Sequence, residues 1–401
     1  MATENMKVLQ VVSSFRPASK VGGPPEVVYG ISKELADRGH DVTIYTTDVT
    51  TNGTTVPRNR RVNLGNLKVY YFRNLSRILA SENIVTPYYS PIVARREMEG
   101  FDIVHIHEHR TLLAAVASRN ANRHGVPYIV QSHGSALPAM RHTFLKSLFD
   151  YALGRRILED ASRVIALTRD EAEQYASLGV ARNRITTLPN GIDISDYSEL
   201  PPRGEFRRKQ GIKANERIVL FLARINRIKN PDLLVDAFAL LKQDLADVRL
   251  VIVGPDDGYL TKLRKKIRDS GVEEDITLVG PLFGKEKIEA FVDSEIYVLP
   301  SYYEIFGITI LEAWGAGKPV IVTRSCGIAD LASIGGIVVG NNKEELQKAM
   351  NLLLNDSDLR SNLGKAGRDL VLNEYNWSKI AGRIESVYSD IIGKGLTHDE
   401  E

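Results

Sequence analysis

The sequence predicts an α/β protein of two doubly wound, mainly parallel sheets that form separate domains facing a cleft. The chain has 401 residues, which is too long for one ordinary core. Short apolar runs alternate with helical patterns along both halves, and this alternation is typical of parallel sheets. The stretch 190–211 between the halves is rich in turn formers and charge, so it is the predicted linker. Ligands are expected at the carboxyl ends of strands.

Composition excludes several classes of protein. Apolar residues make up 43% and charged residues 25% of the chain, which indicates a globular protein rather than a disordered one. The 52 basic and 50 acidic residues nearly balance, so no global charge favours nucleic acid. Cys326 is the only cysteine, which excludes an internal disulfide and a cysteine-rich metal site.

No membrane-spanning or secretion segment is predicted. No run reaches the roughly 18 apolar residues that a spanning helix needs. The opening "MATENMKVLQVVSSF" reads as a first strand rather than as a signal peptide. We therefore expect a cytoplasmic protein that at most touches a membrane surface.

In the first half, "KVLQVVSS" (7–14) is the first strand and leads into a glycine-containing loop. A helix follows, with Val27, Val28, Ile31 and Leu35 on one face, and it ends at Gly39. "DVTIYTT" (41–47) is the next strand. Three later strands are predicted at 101–107, 127–132 and 162–168.

The second half repeats the alternation of strands and helices. Its predicted strands are 217–223, 248–254, 275–280, 295–300 and 319–323. Helices are expected to begin near Pro231, Asp257, Lys285 and Gly307, and the tail 343–393 is expected to be helical.

The segment "SYYEIFGITILEAWGAGKPVI" (301–321) contains the strongest candidate site. Glu304 precedes a helix and Glu312 lies inside it, in surroundings so apolar that unpaired carboxylates would be costly. The backbone amides at Phe306, Gly307 and Ile308 open that helix, where an anion is favoured. The two carboxylates could accept hydrogen bonds from sugar-like hydroxyls. The alternative is a helix-start acid with a surface glutamate.

A basic loop stands at the equivalent place after an earlier strand. In "LARINRIKNPD" (222–232), Arg224 and Lys229 precede the helix that begins at Pro231. Two cations there could clamp phosphate oxygens, the arginine through its fork and the lysine as a point charge. The alternative is a solvated basic loop. Arg227 is the member expected to be exposed.

Two candidates lie in the first half. Gly22 and Gly23 leave the backbone free to approach a ligand at a helix start, although a Gly-x-Gly-x-x-Gly fingerprint is absent and an ordinary mobile loop is the alternative. His133 in "QSHGSALP" follows a strand. Its position at a strand end favours the cleft over the core.

Six of the eight histidines lie between residues 105 and 142. His105, His107 and His109 alternate and so share one face of a strand. Because a parallel strand is buried on both sides and no suitable carboxylate accompanies these histidines, we do not predict a metal site. We expect His105 in the core, and His107 or His109 at the rim of the cleft.

Basic residues in the first half form a candidate contact surface. They are Arg58, Arg60, Arg61, Arg141, Lys146, Arg155 and Arg156. In the predicted helix 141–156 an apolar stripe consists of Phe144, Leu145, Leu148, Phe149 and Leu153. This stripe either faces the core with a solvated basic edge or docks on an anionic membrane.

The glycine loop, "SHGS", "TTLPNGID", "LARINRIKN" and the segment 301–321 occur in the order seen in retaining glycosyltransferases of family four, which the chain resembles over nearly its whole length. The resemblance implies the GT-B fold. It implies a Rossmann-like acceptor-binding domain at 1–197, a Rossmann-like domain binding a nucleotide sugar at 198–375, and a final helix and tail at 376–401 that cross back to the first domain.

The resemblance also implies residue roles. Arg224 and Lys229 would hold the diphosphate, Glu304 the donor-sugar hydroxyls, and Glu312 the ribose. The amides at 306–308 would lie by the phosphate and sugar. His133 would lie beside the transferred sugar, and Gly22 and Gly23 near the phosphate. No metal or other cofactor is implied.

One segment departs from the family pattern. The family often carries Gly-Gly-x-x-Glu after the strand at 319–323, whereas this chain reads "RSCGIADLASIGG". Asp330 is the acid that could replace the missing glutamate.

The implied reaction transfers a hexosyl unit from a nucleotide-diphosphate sugar to a hydroxyl of a glycan or lipid-linked acceptor, with retention, in cell-envelope glycan biosynthesis. A glycoside hydrolase would not need the phosphate clamp. A dinucleotide enzyme using Asp48 as ribose partner lacks its fingerprint. A sugar-nucleotide epimerase of the same fold and a non-catalytic nucleotide-sugar-binding subunit remain alternatives.

Overall fold

The computed structural model describes residues 5–17, 23–49, 56–81, 84–135 and 147–396. The chain divides into two compact units. Unit 1 comprises Met1–Asn190 and Trp377–Glu401, and unit 2 comprises Gly191–Asn376. The domains predicted from the sequence were 1–197, 198–375 and a final segment 376–401.

Unit 1 is an α/β unit. Its strands are β1 (Lys7–Val11), β2 (Asp41–Thr47), β3 (Arg60–Leu64), β4 (Leu67–Phe72), β5 (Ile103–His107), β6 (Tyr128–Gln131), β7 (Arg163–Ala166) and β8 (Ile185–Thr187). Its helices are α1 (Gly23–Asp37), α2 (Arg77–Ser81), α3 (Ser90–Glu97), α4 (Leu112–Arg123), α5 (Arg155–Glu159), α6 (Arg169–Ser177) and, after unit 2, α15 (Trp377–Leu396).

The sheet of unit 1 has eight strands in the order β3-β4-β2-β1-β5-β6-β7-β8. All neighbours are parallel except β3 and β4, which are antiparallel. The direction of winding changes between β1 and β5, so the switch point of this sheet lies at their carboxyl ends. Helix α15 packs on α1, which places the last described helix of the chain in unit 1.

The predicted helix faces of unit 1 are buried as their spacing requires. Val27, Val28, Ile31 and Leu35 on α1 are 0–1% exposed. Helix α4 begins where the Thr111 hydroxyl accepts a hydrogen bond from Ala114 N at 3.0 Å, which satisfies an amide of the first turn.

Unit 2 is the second α/β unit. Its strands are β9 (Arg217–Leu222), β10 (Val248–Val253), β11 (Ile276–Val279), β12 (Ile296–Leu299), β13 (Val320–Thr323) and β14 (Gly336–Val339). Its helices are α7 (Glu205–Gln210), α8 (Pro231–Asp244), α9 (Leu260–Asp269), α10 (Gly284–Asp293), α11 (Ile308–Gly315), α12 (Ala329–Ala332), α13 (Lys343–Asn355) and α14 (Ser357–Glu374).

The sheet of unit 2 is parallel throughout, with the order β11-β10-β9-β12-β13-β14. Its winding changes between β9 and β12, so its switch point lies beside the loops that follow these two strands. The core strands β9, β10 and β12 are almost completely buried, which explains their continuous apolar runs.

The prediction of two parallel-sheet α/β domains is confirmed. Strands β3, β4, β8 and β14 were not predicted. Strand β3, "RRVNL", is half exposed at the antiparallel edge, and β8 has three residues, so neither has the buried apolar run of a central strand. No helix within the described part of the chain is long and apolar enough to span a membrane.

Candidate functional site

The candidate site of unit 2 lies at the switch point of its sheet. The loop after β9 contains Arg224 and Lys229, and the loop after β12 contains Glu304. Because β9 and β12 are neighbours, their loops meet at one edge of the sheet. The backbone joins them directly, since Tyr302 N donates to Ile228 O at 2.8 Å.

Lys229 and Glu304 form an ion pair between these loops, and each side chain is only 15% exposed. Asn226 Oδ1 accepts from Lys229 N at 3.1 Å and fixes the turn that carries the lysine. A largely desolvated pair of opposite charges compensates the burial of each partner. The structure therefore brings together two residues that are 75 positions apart in the sequence.

Arg224 lies in the same loop but is exposed. Its side chain is 55% exposed, and its Nη1 donates to Asp257 Oδ2 at 3.0 Å. Asn226 Nδ2 donates to the same oxygen at 2.9 Å. Arg227, expected to be exposed, is exposed. The sequence reasoning missed Asn226 and Asp257, although an Asn three residues before a turn-closing lysine is a recognisable side-chain-to-backbone turn signal.

Helix α11 begins directly after this pair. Gly307 precedes it with φ +65°, and a Cβ there would lie 3.0 Å from Ile310 Cδ1 and 3.2 Å from Glu304 Cγ, so both conformation and space favour glycine. Phe306 is buried, and no side chain caps the helix start. The amides of its first turn, at Ile308 onward, therefore provide the kind of site that favours an anion.

Glu312 lies within α11 and is 12% exposed. Its Oε1 accepts from Lys287 Nζ of α10 at 2.5 Å. The carboxylate is therefore neither an unpaired buried acid nor a freely solvated surface glutamate. Lys287 was not predicted because it belongs to another helix, and only folding brings it to Glu312.

The segment that departs from the family pattern contacts Glu304 through its backbone. Glu304 forms a bridge with Cys326, and Gly327 N donates to Glu304 O at 2.6 Å. Burial raises the pKa of the Cys326 thiol to about 12. Asp330 is exposed on the short helix α12.

The candidates of unit 1 are only partly described. Gly22 lies outside the described residues. Gly23 begins α1, and a Cβ there would meet nothing within 4 Å. His133 follows β6 with φ +52°, and its Nε2 lies 2.8 Å from His107 Nδ1. Burial lowers the pKa of His133 to about 3, so the ring is neutral near pH 7.

The prediction that His107 or His109 reaches a rim is wrong, because both side chains are 1% exposed. His107 is held by Gln10 and His133, and His109 Nδ1 lies 2.8 Å from Ser132 Oγ. His105 is fully buried, as predicted for a core residue. In the residues that the structure describes, no group of three His, Cys, Asp or Glu side chains is placed to hold a metal ion.

At the switch point of unit 1 the structure shows an acid that the sequence did not indicate. Glu108, after β5, has φ +67°, a backbone conformation that residues other than glycine rarely adopt. Its carboxylate accepts a hydrogen bond from Ser13 Oγ, after β1, and burial raises its pKa. Asp48, considered as a ribose partner, is instead held by Arg58 and Asn74.

The predicted helix 141–156 is described only from residue 147. Phe144, Leu145, Arg141 and Lys146 lie outside the described residues. Phe149 packs against the core of unit 1, but Leu148 is 54% and Leu153 is 39% exposed. A stripe facing the core is therefore wrong for these two leucines. Arg60, Arg155 and Arg156 are exposed, whereas Arg58 and Arg61 pair with Asp48 and Glu97.

Two family models match the chain, one in each half. Residues 22–191 match the glycosyl transferase 4-like domain, and residues 202–370 match the glycosyl transferases group 1 family. The chain is 29% identical over 320 residues to a D-inositol 3-phosphate glycosyltransferase of Pseudarthrobacter chlorophenolicus, covering 76% of this chain and 75% of that one. It is 24% identical to an uncharacterized glycosyltransferase of Methanocaldococcus jannaschii, covering 96% and 98%.

Solved structures share the fold. A sucrose-phosphate synthase from Thermosynechococcus elongatus aligns with a TM-score of 0.79 at 21% identity, covering 97% of this chain and 100% of that one. Anabaena HepE in complex with UDP-glucose aligns with a TM-score of 0.76 at 19% identity, covering 96% and 100%. The motifs found in the sequence follow one another across the two matched domains. The chain belongs to the glycosyltransferases of GT-B fold.

Proposed function

We propose that the protein is a retaining hexosyltransferase that uses a nucleotide-diphosphate sugar and needs no metal. The observation that carries this proposal is the Lys229–Glu304 pair at the switch point of unit 2, beside the uncapped start of α11. A cation, a carboxylate and the start of a helix at one strand edge suit a ligand that combines phosphate with hydroxyls.

The reaction follows from the charges of these groups. Cleavage of the anomeric bond leaves a diphosphate whose negative charge grows in the transition state. Arg224, Lys229 and the α11 amides stabilise that charge more strongly than the charge of the ground state, which lowers the barrier. In this proposal these groups stabilise the leaving diphosphate without a metal ion. The acceptor hydroxyl attacks the anomeric carbon on the face from which the diphosphate leaves and gives its proton to a departing phosphate oxygen, so the configuration is retained.

The remaining donor contacts are assigned by residue type. Glu304 accepts hydrogen bonds from the sugar, and Glu312 accepts them from the ribose, with Lys287 orienting its carboxylate. His133, Gly22 and Gly23 are the proposed ligand contacts of unit 1. Relatives named for transfer to inositol phosphate and a fold neighbour complexed with UDP-glucose support a hexose donor and a hydroxyl acceptor.

A thermal-shift screen without metal tests the donor. We expect one of UDP-, GDP- and ADP-hexoses to raise the melting temperature, because a ligand at 100 times its Kd stabilises the folded state by about 2.7 kcal/mol. The shift should disappear in Glu312→Ala and persist in Glu344→Ala, which removes an exposed glutamate of α13. No shift with any nucleotide sugar would contradict the proposal.

Incubation with the stabilising donor separates the alternatives. Transfer with retained anomeric configuration in the presence of EDTA is the expected result. Epimerisation of the donor without any acceptor would indicate the epimerase alternative. Binding without turnover across glycan and lipid-linked acceptors, and full cellular activity of Glu304→Ala, would indicate a binding subunit.

We further propose that the protein acts in the cytoplasm, in cell-envelope glycan biosynthesis, and contacts an anionic membrane through the segment 147–156. Leu148, Tyr151 and Leu153 are exposed beside Arg155 and Arg156, which combines the apolar and basic side chains that interfacial helices use.

Sedimentation with acidic-lipid vesicles at low salt tests membrane contact. We expect binding that weakens when Leu148 and Tyr151 are both changed to Ser. Leu352→Ser, which alters a 49% exposed leucine of unit 2, should leave binding unchanged. Equal binding to neutral vesicles, or none to acidic ones, would contradict the proposal.

A further inference from the structure

A buried chain of polar side chains links the final helix to His133 inside unit 1. Gln10 on β1, His107 on β5 and Tyr388 on α15 are each 0–1% exposed. Gln10 Nε2 donates to Tyr388 Oη at 3.2 Å, and Gln10 Oε1 lies 2.7 Å from His107 Nε2. His107 Nδ1 lies 2.8 Å from His133 Nε2.

The tyrosine determines the orientation of the Gln10 amide. Tyr388 Oη also lies 2.8 Å from His105 Nδ1. If its hydrogen goes to His105, its oxygen is left to accept from Gln10, and only the amide NH₂ can donate. The carbonyl oxygen of Gln10 must then face His107.

The amide in turn determines the protons of both histidines. An amide oxygen can only accept, so His107 carries its hydrogen on Nε2. Burial and two neighbouring imidazoles lower the pKa of His107 well below its usual value, so the ring is neutral and its Nδ1 is an acceptor. His133 must therefore donate from Nε2, and since its ring is also neutral, its Nδ1 has a free lone pair.

The remaining nitrogen of His133, Nδ1, is buried and has no hydrogen-bond partner in the part of unit 1 that the structure describes. The ring is parallel to His107, with centroids 5.1 Å apart at 10°, and its backbone has φ +52°. A buried polar atom without a partner is costly, and unusual backbone conformations of this kind occur often at ligand sites.

We infer that Gln10 and Tyr388 are positioning residues that hold His133 as the neutral tautomer protonated on Nε2, so that Nδ1 accepts a hydrogen bond from a substrate hydroxyl. The choice of a carbohydrate hydroxyl as the donor rests on the proposed function. The tautomer itself follows from the hydrogen-bond chain in which Tyr388 donates to His105 and Gln10 donates to Tyr388. Helix α15 thereby acts on a site residue that it does not contact.

Histidine ring spectra test the tautomer directly. With ¹⁵N-labelled histidine, long-range ¹H–¹⁵N correlations distinguish the two neutral forms, and a His133→Asn variant assigns the signal among eight histidines. We expect hydrogen on Nε2 of His133 in the unmodified protein and a mixture of both forms in Gln10→Leu. Hydrogen on Nδ1 in the unmodified protein, or an unchanged pattern in Gln10→Leu, would overturn the inference.

Tyr388→Phe keeps the ring and removes only the hydroxyl, so it supplies the same comparison if Gln10→Leu does not fold. Tyr128→Phe is the matched control, because it removes another buried hydroxyl of unit 1. That hydroxyl donates to Ile157 O at 2.9 Å and does not belong to the hydrogen-bond chain that leads to His133. We expect mixed tautomers in Tyr388→Phe and the single tautomer in Tyr128→Phe.

Kinetics test the positioning role. In Tyr388→Phe we expect kcat/KM for transfer to fall about tenfold, the scale of one lost hydrogen bond, while the Kd of the free nucleoside diphosphate stays within about twofold. Mixed tautomers with unchanged kcat/KM would refute positioning. If the unmodified protein transfers no sugar, the proposed function fails, and the spectra still decide the tautomer.

Discussion

At the scale of single residues, variants of Arg224 and Arg227 distinguish a specific arginine contact with the diphosphate from the general positive charge of the loop. Both are exposed in the loop after β9. Arg224→Ala should weaken binding of the nucleoside diphosphate about 10- to 100-fold, since hydrogen bonds to charged groups contribute about 1.5–3 kcal/mol. The melting temperature should barely change, because exposed ion pairs stabilise little. Isothermal titration calorimetry gives the affinities.

The matched variant Arg227→Ala removes the same charge from the same loop. We expect its affinity to remain within about threefold of the unmodified protein, as a general electrostatic contribution is screened by salt. Equal losses in the two variants would mean that the loop attracts anions without a specific arginine contact.

Lys318, between α11 and β13, makes stability depend on pH. Burial lowers its pKa to about 8 from 10.5, and its Nζ donates to Val292 O at 2.8 Å. Between these two pH values the unfolded chain binds more protons than the folded one, so the free energy of unfolding rises with pH. The contribution is complete above pH 10.5 and is lost as pH falls through about 8.

Urea unfolding of the protein and of Lys318→Met across pH 7–10.5 tests this contribution. The free energy of unfolding should rise relative to Lys318→Met by up to about 3 kcal/mol over that range. Parallel pH profiles of the two proteins would show that Lys318 has an ordinary pKa in the folded state.

At the scale of elements, the contact of α1 with α15 depends on a glycine. A Cβ on Gly30 would lie 2.4 Å from Trp377 Cε2, and Trp377 is itself 7% exposed. Gly30→Ala should therefore destabilise unit 1 by about 1–3 kcal/mol, as overpacking usually does. Differential scanning calorimetry should show the loss as a fall of several degrees in melting temperature.

Gly393→Ala on α15 is the control, because it adds a methyl group to the same helix without crowding a neighbour. A Cβ there meets nothing within 4 Å, and alanine favours a helix over glycine by about 1 kcal/mol. We expect no loss of stability from this change. A Gly30→Ala protein as stable as the unmodified one would show that α15 can move away from α1 at little cost.

At the scale of the whole molecule, unit 1 needs a helix that follows unit 2 in the sequence. Glu385 on α15 pairs with Arg38 and with His40 at 3.0 Å, and Tyr388 bonds Gln10 and His105. A chain ending at residue 376 removes these partners of the buried residues His40, Gln10 and His105 and should lose the cooperative unfolding of unit 1. Residues 191–376 alone should fold and bind the nucleoside diphosphate. Amide hydrogen exchange distinguishes the two units.

Protected amides throughout β1, β2 and β5 in the chain ending at 376 would contradict this prediction. Loss of protection in unit 2 of that chain would contradict it as well, because unit 2 has its own sheet and core.

The sequence by itself determined the alternation of strands and helices, because buried parallel strands are continuous apolar runs such as "RIVLFL" and helix faces repeat every three to four residues. It also indicated Glu304, Lys229 and the glycine before α11, since strand ends and helix starts are local features. The edge strand β3 escaped prediction because its residues are half exposed and pair through a turn rather than through burial.

Only the tertiary structure decided which side chains meet. Three contacts join segments that are far apart in the chain: the ion pair of Lys229 with Glu304, the pairing of Glu312 with Lys287, and the hydrogen bond of His107 with Gln10. The exposure of Leu148 likewise depends on how its segment packs in the folded unit. Local periodicity cannot specify such contacts. They are set by strand order and helix packing, which depend on the free energy of the whole fold.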